Sequence, residues 1–149
     1  MSSSIDIREL QASDYDRWLI LWQDYLRFYK SELPPEVTTN NWAQILAPEA
    51  SPYALGAFDS NNKMLGFTHY HFHTSCWTVG PYCYLQDLYV DSDARGDGIG
   101  KRLIQAVYDA ADKAGAEQVY WLTAEDNDTA RRLYDKVGTL TPFIKYKKP

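Results

Sequence analysis

The chain has 149 residues, of which 45% are hydrophobic and 15% aromatic, enough to build the core of one domain spanning 1–149. Fifteen Lys and Arg stand against 20 Asp and Glu, giving a net charge of −5 and a pI of about 5.1. That balance argues against nucleic acid as a partner and suits a cationic substrate such as an amine. No apolar run approaches the roughly 20 residues of a membrane span, and the Met-Ser-Ser-Ser start lacks the basic and apolar regions of a secretory signal. A cytoplasmic protein is expected.

In chain order, Ile5, Ile7 and Arg8 belong to a first strand, with the two isoleucines on one face. Ser13, with Asp16 three residues later, resembles a helix N-cap. The helix then carries Trp18, Leu21, Trp22, Tyr25, Leu26 and Tyr29 on one apolar face. Pro34-Pro35 stops it. A second helix is expected from Asn40 to Ala47, ended by Pro48, with Trp42, Ile45 and Leu46 facing inward.

Tyr53 to Phe58 and Met64 to His73 read as a hairpin around the turn Asp59-Ser60-Asn61-Asn62. A second turn at Thr78-Val79-Gly80-Pro81 leads into a central strand, Tyr82 to Val90. A long helix follows from Gly98 to Ala114, with Gly115 just past its end. Gln118 to Thr123 reads as a strand. Asn127-Asp128 caps a helix that runs to Val137, with Gly138 at C′, and Phe143 to Lys147 reads as a closing strand. Cys76 and Cys83 lie in apolar, strand-like surroundings and are expected to be buried free thiols, which fits a reducing compartment.

The stretch most able to carry chemistry is Arg95-Gly96-Asp97-Gly98-Ile99-Gly100-Lys101, between the central strand and the long helix. Alternating glycines keep Cβ atoms away from an approaching ligand, and the helix offers free N–H groups and a positive dipole end. Such a turn holds a pyrophosphate. A dinucleotide fingerprint needs G-x-G-x-x-G, and a P-loop needs Ser or Thr after Gly-Lys, where Arg102 stands here. Neither pattern fits.

The remaining pattern, Arg-x-x-Gly-x-Gly after a strand, resembles the acetyl-coenzyme A loop of the GCN5-related N-acetyltransferase (GNAT) family. The likeness covers nearly the whole chain. It is most specific in Tyr84-Leu85-Gln86-Asp87-Leu88-Tyr89-Val90, the glycine loop, Asn127, and Leu133-Tyr134 before Gly138. The wording is most similar to a small fungal subgroup acting on histones, polyamines and D-amino acids. The resemblance implies an α/β (α+β) fold with four helices on a mixed sheet of about six to seven strands. It implies acetyl transfer from acetyl-coenzyme A to a primary amine, without a metal, and a homodimer joined partly through the C-terminal strand. A non-catalytic acyl-coenzyme A binding module is the alternative.

By resemblance, backbone groups of Leu88, Tyr89 and Val90 take the pantetheine arm. Arg95, Gly96, Asp97, Gly98, Ile99, Gly100 and Lys101 take the pyrophosphate, and Asn127 either contacts the arm or merely caps its helix. Tyr134 matches the tyrosine that protonates the departing thiolate. The base is open. Gln86 stands where the polyamine relative carries a carboxylate, and an amide takes no proton at neutral pH. Asp87 is next along the strand, where simple alternation turns it to the other face. A base could be Asp87, water held past Gln86, or none. His69, His71 and His73 share one strand face; a metal site there is disfavoured, and His73 is a candidate for the acceptor pocket.

Overall fold

A computed structural model describes residues 4–47 and 51–149. It contains β1 (Asp6–Glu9), α1 (Tyr15–Phe28), α2 (Pro35–Leu46), β2 (Tyr53–Phe58), β3 (Met64–His73), β4 (Tyr82–Val90), α3 (Ile99–Lys113), β5 (Gln118–Tyr120) and α4 (Asp128–Val137). The sheet runs β1-β2-β3-β4-β5. Its first three pairings are antiparallel and the β4–β5 pairing is parallel.

Alternation along β3 decides which helix packs on which face. Phe67 and His69 meet Trp18 and Trp22 of α1, while Tyr70 joins Leu85, Ile104 and Val107 under α3. Trp18, Leu21, Phe67, Leu103, Ile104 and Val107 are completely buried. Each such side chain stabilises the fold by about 1.5–3 kcal/mol, so the sheet is clamped from both sides.

The strands β2, β3 and β4 and the helices α1, α3 and α4 fall where the periodicity puts them, within a residue or two. The rest departs from that reading. The sheet has five strands among the described residues, not six to seven. Ser13 does not cap α1; Asp14 instead accepts from Gln11 N–H at 2.7 Å and pairs with Arg8, shaping a 3₁₀ turn at Ala12–Asp14. α2 begins at Pro35, because a proline at the first helical position gives up an N–H that has no helical partner there. Its Leu46 is 39% exposed rather than inward, and Pro48 lies outside the described residues. Cys76 is exposed, and only Cys83 is buried, its thiol pushed up to about 11 by burial.

Gly138 is not left-handed. Its φ of −144° is extended, and glycine is required because a Cβ would sit 2.9 Å from the Trp121 ring. Finally, Phe143 to Lys147 forms no strand. Phe143, Ile144 and Tyr146 are 82%, 78% and 90% exposed, since a strand needs an edge to pair with and this segment meets none among the described residues.

Candidate active site

β5 is shorter than its sequence promises, and that shortening opens the site. β4 pairs with β5 only over Tyr82–Tyr84, after which the two strands part. On its other side β4 stays paired with β3 as far as Val90. Asp91 N–H donates to Leu65 O across that ladder, so alternation turns the backbone groups of Leu88 and Val90 toward the open side. Arg95 already uses one of them, donating from Nε to Val90 O at 3.1 Å. Its guanidinium also stands 5.4 Å from the Tyr89 ring centroid.

The chain then enters the glycine loop. Gly96 has φ of +96° and Gly98 has φ of +73°, conformations that a side chain rarely adopts. A Cβ on either would meet nothing within 4 Å, so the loop leaves open space above its backbone. Gly98 is the N-cap of α3 and supplies no side-chain cap, so the first-turn N–H groups of Ile99, Gly100 and Lys101 have no side chain folded over them. Gly100 must be small: a Cβ there would stand 3.2 Å from Leu133 of α4.

Between these parts lies a cleft of about 620 Å³. Of the residues read from the sequence it brings together Leu88, Tyr89, Val90, Arg95, Gly96, Gly98, Ile99, Gly100, Lys101, Asn127 and Tyr134. Asp97 is exposed and outside it, because the alternating loop turns this residue to solvent. Gln86 and His73 are outside as well. Gln86 is exposed and held by His71 Nε2 at 2.6 Å, and His73 binds the Tyr120 hydroxyl at 2.8 Å. Asn127 Oδ1 accepts from Ala130 N–H at 3.4 Å, so the residue caps α4 and lines the cleft at once.

Tyr134 stands on α4 with its phenol pushed up to about 12, first by burial and then by Tyr29. Three aromatic residues of the cleft, Tyr25, Phe28 and Tyr29, escaped the sequence reading, as did the basic Arg132 and Lys136. Tyr25 and Tyr29 lie on the apolar face of α1. The available signal was that the face changes from Trp and Leu to hydroxyl-bearing rings at its C-terminal end.

Asp87 does not point away from Gln86. A register shift between His69 and Tyr70 places Gln86 as an extra residue in β4, a bulge that resets the alternation. Gln86 and Asp87 therefore both reach the face that carries His71 and His69. Asp87 accepts from the Tyr25 hydroxyl at 2.7 Å and contacts His69 Nδ1 at 2.9 Å. The buried Trp18 Nε1–H points at His69 Nε2, 3.2 Å away. An indole N–H only donates, so Nε2 accepts and Nδ1–H donates to Asp87. Among the described residues no group of three or more His, Cys, Asp or Glu side chains gathers to hold a metal ion.

An open strand edge, a loop whose alternate residues are glycine, a helix N-terminus and basic lining fit a long amide-bearing arm that ends in phosphates. The model of the Acetyltransferase (GNAT) family matches residues 10–139. The chain belongs to the GNAT family. As a GNAT member it is an acetyl-coenzyme A-dependent N-acetyltransferase. It is 36% identical to the D-amino-acid N-acetyltransferase HPA3 of Saccharomyces cerevisiae over 99% of this chain and 92% of that protein. The GNAT fold also matches a ribosomal-protein-alanine N-acetyltransferase structure from Brucella melitensis, with a TM-score of 0.82 at 23% identity over 98% of this chain and 99% of that one. An aminoglycoside N-acetyltransferase solved with CoA aligns at a TM-score of 0.80 and 20% identity over 99% of this chain and 97% of that one.

Proposed function

We propose that this enzyme acetylates the amine of an amino acid or a similarly small primary amine by direct attack on acetyl-coenzyme A, within one catalytic domain. The observation that carries the reading is the cleft itself, which joins the open β4 edge and the glycine loop at one end to Tyr134 and the aromatic wall of α1. The 36% identity to a D-amino-acid enzyme supports an amino-acid acceptor. Gln86 weighs against polyamines, since it stands where the polyamine relative carries a carboxylate able to take the proton.

In this reading Leu88 and Val90 hold the pantetheine amides through their backbone groups, with Tyr89 alongside. Gly96, Gly98, Ile99 and Gly100 donate N–H groups to the pyrophosphate, while Arg95, Lys101 and Arg132 supply positive charge. Asn127 steadies the arm near the thioester. The aromatic rings of Phe28 and Tyr29 offer their faces to the ammonium, an interaction of about 0.5–2 kcal/mol. Attack by the neutral amine gives a tetrahedral intermediate, and its collapse expels a thiolate of pKa about 8.5. Tyr134, its phenol pushed up to about 12, stays protonated at working pH and delivers the proton.

We also infer a homodimer in which the exposed Phe143, Ile144 and Tyr146 pair with a second copy, and a cytoplasmic site of action in keeping with two free cysteines. Thiol release from acetyl-coenzyme A, measured with D- and L-amino acids, polyamines and lysine peptides, tests the acceptor. Turnover fastest with amino acids is expected. Turnover confined to polyamines or lysine peptides would overturn the acceptor class.

A further inference from the structure

Asp87, the carboxylate nearest the cleft on β4, does not itself line the cleft; Tyr25 stands between them. The Tyr25 ring is fixed from several sides, against Trp22 at 5.6 Å, Tyr29 at 5.1 Å, Phe67 at 6.0 Å and Tyr89 at 6.1 Å between centroids. Its hydroxyl therefore has a set direction, toward Asp87 Oδ1. Behind Asp87 the chain continues through His69 to Trp18, both buried. The result is a line of hydrogen-bonded side chains running from the cleft into the aromatic core around Trp18, Trp22 and Phe67.

Such a line needs a reason, because a buried polar network is costly unless every member is satisfied. Packing does not supply one. Phe at positions 18 and 25 with Leu at positions 69 and 87 would leave the site apolar, with no hydrogen bonds to satisfy. Nor is this a storage site for charge on histidine. Trp18 occupies the Nε2 lone pair, so His69 cannot take a second proton without breaking that bond. The one atom along the line able to accept a proton is a carboxylate oxygen of Asp87.

We propose that Tyr25 is a catalytic residue that contacts the acceptor amine and passes its proton to Asp87, with His69 and Trp18 as positioning residues behind it. The inference rests on the acetyltransferase reading of the cleft and adds the missing base. The ammonium gives one proton to Tyr25 Oη as the Tyr25 hydroxyl proton moves to Asp87 Oδ1. The freed nitrogen lone pair then attacks the thioester carbonyl. After attack the nitrogen loses a second proton, which replaces the one Tyr134 gives to the departing sulfur. One proton leaves on the coenzyme thiol, and the other is released from Asp87 to water after the product departs. Burial, followed by Asp87, pushes the Tyr25 phenol well above its usual value, so the hydroxyl relays without becoming a phenolate.

The test uses Tyr25→Phe, which keeps the packed ring, and Asp87→Asn, each on the full-length protein. Coenzyme affinity by calorimetry reports whether the cleft is intact. Rates are compared for the fastest primary amine of the acceptor panel and for its analogue fluorinated beside the amine carbon, which is already neutral at the assay pH. Tyr25→Phe and Asp87→Asn should each lower kcat/KM for the ordinary amine by about a hundredfold. The loss should shrink to less than about fivefold for the fluorinated amine, and the double variant should be no worse than either single one. Equal losses on both amines would overturn the relay and leave Tyr25 a packing residue. A variant that fails to bind coenzyme is replaced by 3-fluorotyrosine at position 25, which keeps shape and hydroxyl; an unchanged dependence of rate on amine basicity would overturn the proposal equally. A parent enzyme silent on every amine would instead remove the acceptor reading on which the relay stands.

Discussion

Tyr134 of α4 meets Trp121 edge-on, their ring centroids 5.4 Å apart, while the same tyrosine lines the cleft opposite the open edge of β4. The tryptophan fixes the ring, so removing the hydroxyl alone leaves packing nearly unchanged. Tyr134→Phe should lower kcat by roughly 10²–10⁴-fold. KM for acetyl-coenzyme A should barely move, as for an interaction made in the transition state. With the phenol pushed up to about 12, the parent should show no loss of the acid form between pH 7 and pH 10. Steady-state kinetics across that range checks both points, and a kcat within about twofold of the parent would assign the proton to another donor.

The glycine loop makes a binding prediction. Gly98 has φ of +73° and opens onto the cleft. Valine there would be strained in the left-handed region and would also project methyl groups above the loop. Both effects oppose the phosphates. Gly98→Val should weaken coenzyme binding at least tenfold by calorimetry while the far-ultraviolet circular dichroism stays that of the parent. Unchanged affinity would remove the loop from the coenzyme site.

Two ion pairs set the response to acid. Arg8 bonds Asp14, and Arg17 bonds both Asp91 and the carbonyl of Met64, which pins α1 to the ends of β3 and β4. Burial alone would raise the two carboxyls, but the arginines together with the backbone N–H groups of Gln11 and Asp93 outweigh it, so both Asp14 and Asp91 sit below their usual value. A depressed folded pKa gives stability that is present above the unfolded value of about 4 and is lost as pH falls through the folded one. Arg17→Met should therefore cost about 1 kcal/mol at pH 7, a figure that allows for partial solvent exposure. The cost should be smaller in acid, well below the unfolded carboxyl value of about 4. Urea unfolding at the two pH values measures it, and an equal cost at both would mean that the arginine acts only through packing.

The exposed tail gives an assembly prediction. Light scattering of the parent at micromolar concentration should report a dimer, and removal of residues 140–149 should yield a folded monomer. A monomeric parent, with and without coenzyme, would overturn the dimer.

Much of this arrangement is legible in the chain. Strand limits such as Tyr82–Val90 follow from an apolar run bounded by the turn at Gly80-Pro81 and by the glycine loop, and the α3 boundaries follow from Gly98 and Gly115. The glycine loop announces itself because few other functions need that spacing. What escaped was governed by pairing rather than by pattern. The bulge at Gln86 depends on how β4 registers with β3, and one extra residue reverses the inferred direction of Asp87. Tyr25 reads as core because its spacing is that of Trp18 and Leu21; only the parting of β4 from β5 reveals that this face runs into a cleft. The last segment, apolar enough for a strand, lacks an edge among the described residues.

The early end of the β4–β5 ladder leaves amide and carbonyl groups of β4 open in mid-sheet, of which Arg95 takes the Val90 carbonyl. In the proposed function acetyl-coenzyme A would take the place of a missing strand there, and the folded state would be complete only when it is loaded. At a hundred times its dissociation constant it would add about 2.7 kcal/mol to stability. The persistence of this enzyme would then follow the supply of its acetyl donor, so a shortage of that donor would deplete the catalyst as well as starve the reaction.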